Sequence, residues 1–148
     1  MFSWAHLRDW LNEQLLTAPV TLGGLAIVGV SMVAGWRAQA LGMNPQSDTE
    51  KPAEAGSESR ALVFLAICTG LYWLFTFVWN PDYGGQRDWD LFSLAALPST
   101  LLLARTLPRV LTRRDHLAQA ALMLTAVSAL HTSAWIYQNT LPWEWPAK

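Results

Sequence analysis

The chain has 148 residues, of which 52% are apolar and 14% charged, with nine tryptophans and one cysteine. Soluble domains carry about 25% charged residues, so this deficit, with a mean hydropathy of +0.19, points to a membrane protein. A net charge of −1 excludes a polybasic nucleic-acid binder, and the lone cysteine excludes a disulfide framework or thiolate metal cluster.

The first predicted element covers residues 3–16. Trp4, Leu7, Trp10, Leu11 and Leu15 fall on one helical face, and Arg8, Asp9, Glu13 and Gln14 on the other. This spacing predicts an amphipathic helix lying in the membrane interface, with Trp4 and Trp10 as anchors at headgroup level. It does not read as a signal peptide, because no basic segment precedes a short apolar core.

A hydrocarbon layer about 30 Å thick needs roughly 20 apolar helical residues. Uncharged runs at Gln14–Trp36, Ala61–Pro81 and Leu117–Trp143 predict transmembrane helices over 17–36, 61–79 and 117–138. A further run, Leu91–Ala104, has only 14 uncharged residues, about 21 Å of helix. Extending it to 91–111 reaches spanning length but includes Arg105 and Arg109, with Arg105 snorkelling to the interface. A re-entrant segment broken at Pro98 is the alternative. The expected fold is an all-α integral membrane protein with four transmembrane helices plus the N-terminal interfacial helix.

Four spans put both termini on one side. Arg37, Lys51, Arg60, Arg105, Arg109, Arg113 and Arg114, seven of the ten basic residues, then share the opposite side. The positive-inside rule makes that side cytoplasmic, places both termini outside and assigns the chain to the inner (cytoplasmic) membrane. Seven of the nine tryptophans, Trp4, Trp10, Trp79, Trp89, Trp135, Trp143 and Trp145, fall on the outer side. An ordinary aromatic belt populates both interfaces, so this bias marks the outer face as a docking surface.

The loops divide by composition. Residues 38–60 are rich in Pro, Ser, Glu and Gly from Asn44 on, which predicts a flexible cytoplasmic linker. Arg105, Arg109, Arg113 and Arg114 cluster at the second inner loop, where each arginine contributes about 1 kcal/mol of attraction to anionic headgroups. The outer loop contains Gly84-Gly85-Gln86-Arg87-Asp88-Trp89-Asp90-Leu91-Phe92. There Asn80-Pro81 ends a helix, and Asp88 or Asp90 can cap the next one. The same Asp-x-Asp pair offers two carboxylates to a hard divalent cation.

This loop and the Pro-containing segment after it, about residues 80–108, resemble a stretch in bacterial polytopic glycosyltransferase-C-like membrane proteins. The resemblance implies a membrane module shared with such enzymes or recruited for assembly. It also implies an alternative activity at the outer leaflet, with Asp88 and Asp90 on a metal or a phosphorylated lipid donor.

Within the predicted spans, His131 reads first as a hydrogen-bond partner of a neighbouring helix, with ligation of a haem or chlorin magnesium and proton relay as the alternatives. A bis-His haem would need a second spanning histidine, and His6 and His116 read as surface residues. Gly24, Ser31 and Gly35 align on the first span, and Ala121, Thr125, Ser128 and Thr132 on the last. Small faces of this kind allow helices to approach closely in lipid. No phosphate-binding loop or metal-spaced Cys/His cluster is present. The expected function is a non-catalytic accessory or assembly subunit of a larger membrane complex, with lipid and other integral membrane subunits as partners.

Overall fold

The computed structural model describes residues 3–41, 52–78 and 93–141. Their secondary structure is entirely helical: α1 (Trp4–Thr17), α2 (Thr21–Ala40), α3 (Pro52–Val78), α4 (Ala96–Val110) and α5 (Arg114–Thr140). Three of these, α2, α3 from Gly56 and α5, are long and apolar enough to cross a membrane.

Helix α1 starts where the Ser3 hydroxyl accepts a hydrogen bond from the His6 amide at 3.2 Å, an N-cap that satisfies one of the free first-turn donors. It stops at Ala18 (φ −148°, ψ 76°), because the residue before Pro19 is driven out of the helical region. The chain turns through Pro19, and α2 begins at Thr21, four residues later than the span expected over 17–36.

The arginine-rich ends are built similarly. Helix α3 begins at Pro52, inside the stretch expected to be a linker, while residues 42–51 lie outside the described set. Proline suits a first helical turn because its missing N–H is unneeded there. Helix α4 is the shortest of the four that follow α1, 15 residues, or about 22 Å. Pro98 sits harmlessly in its first turn. Pro108 removes an interior donor, and the helix ends two residues later at Val110. The span expected over 91–111 is thus realised as a shorter helix preceded by a turn at Leu94–Ala95. Helix α5 runs three residues earlier and two later than the 117–138 expected.

Despite its length, α4 is the centre of the fold, packing against both α2 and α3. It runs parallel to α2, since the Thr21 and Thr100 hydroxyls pair at 3.2 Å and Gly24 lies against Leu103. It runs antiparallel to α3, since Arg109 near its end meets Glu58 near the start of α3 at 3.2 Å. A β-carbon on Gly24 would stand 2.8 Å from Leu103 Cδ2, so the absent side chain is what allows α2 and α4 to approach. A β-carbon on Gly35 would meet nothing within 4 Å. The predicted small face of this span is therefore used at Gly24 and not at Gly35.

The interior is inverted relative to a soluble protein. The buried apolar residues are Val28, Ala95 and Leu103, whereas Gln14, Thr21, Thr69, Thr76, Ser99 and Thr106 are buried polar ones. Meanwhile Ile27, Val30, Phe64, Leu71, Leu122 and Leu130 face outward, each more than half exposed. In water this arrangement forfeits burial at about 25 cal/mol per Å² of apolar surface. In lipid the forfeiture vanishes, and close packing with satisfied hydroxyls decides which faces meet. Ser99 donates to the Ala95 carbonyl at 2.6 Å and Thr106 to the Leu102 carbonyl at 2.8 Å, so each hydroxyl is satisfied within its own helix.

Candidate functional site

Helix α1 docks on the C-terminal end of α3, and polar groups make the joint. His6 Nε2 donates to the Phe77 carbonyl at 2.6 Å. The Trp10 indole N–H donates to the Thr76 hydroxyl at 3.1 Å, and Gln14 Nε2 approaches the same oxygen at 3.4 Å. Thr76 in turn donates to the Trp73 carbonyl at 3.1 Å. Trp10 also meets Trp73 and Phe77 edge-on, with ring centroids 6.5 and 5.7 Å apart. Helix ends leave carbonyls without intrahelical partners, which is why a donor-bearing face fits here.

The face that meets α3 is therefore His6, Trp10 and Gln14, spaced four residues apart, and it shares only Trp10 with the apolar face expected to lie in the membrane interface. Trp4 is 79% exposed and Leu15 is exposed, while Gln14, assigned to the solvent face, is only 4% exposed. His6, expected at the surface, is part-buried at the joint. Glu13 lies beside this face. Its Oε2 is buried without a hydrogen-bond partner, and burial, reinforced by the nearby Asp9 carboxylate, raises its pKa above the ordinary 4.5.

His131 lies close to the same end of the molecule, in a cavity of about 180 Å³ shared with Leu16, Thr17, Pro19, Ser93 and Trp135. Ligand pockets occupy roughly 300–1,000 Å³, so this one is undersized for a tetrapyrrole. Trp135 joins Trp4 and Trp10 at the α1 end, and Trp36 lies at the far end of α2. Asp88 and Asp90, as well as Trp79, Trp89, Trp143 and Trp145, lie outside the described residues. Among the described residues, no group of three or more His, Cys, Asp or Glu side chains is placed to hold a metal ion.

The four arginines gather at the opposite end but divide into two pairs. Arg105 and Arg109, one turn apart on α4, take the side where Arg109 pairs with Glu58. Arg113 precedes α5 and grips the Asp115 carboxylate through two hydrogen bonds of 3.2 and 2.8 Å. Arg114 is exposed and has no ion-pair partner among the described residues. Between α4 and α5 lies a groove of about 860 Å³, into which the Ala121, Thr125, Ser128 and Thr132 stripe faces together with Leu103 and Leu107. The small face of α5 thus addresses open space, and no α5 residue is buried.

These features define an all-helical protein with three helices able to cross a membrane, a polar helix–helix joint at one end and an arginine cluster at the other. Comparison with known proteins finds no matching family model, no similar curated protein and no similar solved structure.

Proposed function

We propose that this chain is a four-pass subunit of the cytoplasmic membrane that serves a larger membrane complex as a non-catalytic accessory or assembly component. In this reading α4 is a further crossing, third in chain order, α1 lies in the outer interface, both termini are outside, and the arginine end faces the cytoplasm. The observation that carries it is α5: a helix of 27 residues with none of them buried and a continuous small-residue face turned to an open groove. A helix bearing such a face leaves its best packing surface unused within this chain. Trp4, 79% exposed at the α1 end, supplies an amphipathic anchor of the kind enriched at interfaces.

Extraction in mild detergent, followed by native electrophoresis and mass spectrometry, tests the proposal. Co-migration with other integral membrane proteins, lost on Ala121→Leu with Ser128→Leu, is the expected result. Migration as a lone monomer overturns it.

A further inference from the structure

The geometry points to a binding site for one anionic phospholipid in the groove between α4 and α5, with an acyl chain along the groove and the headgroup at Arg114. The groove walls are apolar, with Leu103 and Leu107 on α4 and Leu117 and Leu124 on α5, and its volume is about 860 Å³. It follows α5 from Leu117 to Ser133, about 24 Å at 1.5 Å per residue, so it accommodates a chain that enters from one leaflet.

The occupant is set by charge at one end. Arg113 and Arg114 stand four and three residues before Leu117, hence on the helical face that continues the groove wall. Asp115 neutralises Arg113, which leaves Arg114 as the uncompensated cation at this rim among the described residues. The Asp115 carboxylate also occupies the first turn of α5 and accepts from its backbone N–H groups, so the headgroup charge is met by the Arg114 side chain and not by the helix terminus. Basic pockets between transmembrane helices hold anionic headgroups for this reason.

At the arginine end the width also favours a lipid over a helix. Only Leu111, Thr112 and Arg113 separate α4 from α5, so four peptide steps limit the gap at that end to about 14 Å. A helix inserted between two others needs about 8–10 Å of axis separation on each side and does not fit there. An acyl chain does. The site shares the α5 groove with the accessory role proposed above, so lipid and partner compete for it, but the two readings fail separately: a chain that migrates as a monomer can still retain its lipid, and Arg114→Gln bears on the lipid alone.

The test is native mass spectrometry of the intact protein released from phosphatidylcholine nanodiscs doped with phosphatidylglycerol. The unaltered chain is expected to retain one phosphatidylglycerol in preference to phosphatidylcholine. Arg114→Gln should lower that preference about fivefold, the equivalent of one headgroup arginine. Ser128→Leu, which narrows the groove midway along α5, should weaken retention of both lipids alike at unchanged helicity, and Arg8→Gln, at the other end, should change nothing. Equal retention of the two lipids, an Arg114→Gln protein with undiminished preference, or a Ser128→Leu protein that retains lipid as fully as the unaltered chain overturns the assignment. So does a lipid-free dimer, which would put a second copy on the groove.

Discussion

Thr69 and Thr76 lie two turns apart on α3, are 3% and 1% exposed, and differ completely in what their hydroxyls do. Thr76 receives the Trp10 indole and Gln14 amide of α1 while donating to the Trp73 carbonyl. The Thr69 hydroxyl is buried with no hydrogen-bond partner. The same residue type on one helix thus serves as the centre of a joint at one position and as an unsatisfied polar group at the other.

Replacing each by the near-isosteric valine should separate them. Thr76→Val leaves two α1 donors facing a methyl group, and stranding a buried donor costs about 1–3 kcal/mol. Thr69→Val removes only a group that has no partner and should be neutral or slightly stabilising. Thermal unfolding in detergent, followed by far-ultraviolet circular dichroism, should show a clear fall in midpoint for the first and none for the second.

Glu13 gives the same joint a pH dependence. Its carboxyl pKa is raised above 4.5, first by burial and then by Asp9. The docked state therefore binds the proton more tightly than the undocked state. Its contribution is fully present below pH 4.5 and is lost as pH rises through the raised value. Trypsin cleavage after Arg8, an exposed residue of α1, should accelerate over that window relative to a peptide of the same sequence. Glu13→Gln should flatten the profile, and a pH profile identical to that of the unaltered chain would refute the role given to Glu13.

Hydropathy alone reveals the helical class and the three long apolar helices, because a run of 20 or more uncharged residues has few other uses. It places Gln14 and His6 on the outside of α1 incorrectly, for a physical reason. Periodicity assigns polar side chains to water, but the surface receiving α1 is the end of another helix, where the Phe77 carbonyl and the Thr76 hydroxyl accept hydrogen bonds. Against that surface His6, Trp10 and Gln14 are better partners than Leu11 or Leu15. The one clue in the sequence is their spacing of four, which places three side-chain donors in a row. Pro19 is a plainer signal, and it alone accounts for the late start of α2. The small stripe of α5 is legible as a surface, but the groove it faces depends on how far α4 stands away, and no spacing encodes that distance.

The Arg109–Glu58 pair tests how much an ion pair contributes at the crowded arginine end. Both side chains are exposed, at 40% and 47%, and exposed pairs contribute about 0–1 kcal/mol and are screened by salt. Arg109→Gln should lower the unfolding midpoint only slightly, and the difference should disappear in high salt. A large, salt-independent loss would mean that Arg109 holds α4 against α3 through something other than this pair.

The approach of α2 to α4 rests on the absence of one side chain. A β-carbon at Gly24 falls 2.8 and 3.0 Å from the two methyl carbons of Leu103, which is itself only 4% exposed and could give way only by turning toward the groove between α4 and α5. Gly24→Val should therefore destabilise by about 1–3 kcal/mol through overpacking, whereas Gly35→Val, with open space around it, should not. If the contact is the cause, Leu103→Ala introduced alongside Gly24→Val should recover much of the loss, although Leu103→Ala alone is destabilising. The double-mutant cycle then has a coupling energy well above the few tenths of a kcal/mol expected for independent sites. Additive losses would show instead that Gly24→Val acts through its own helix and not through the α2–α4 contact.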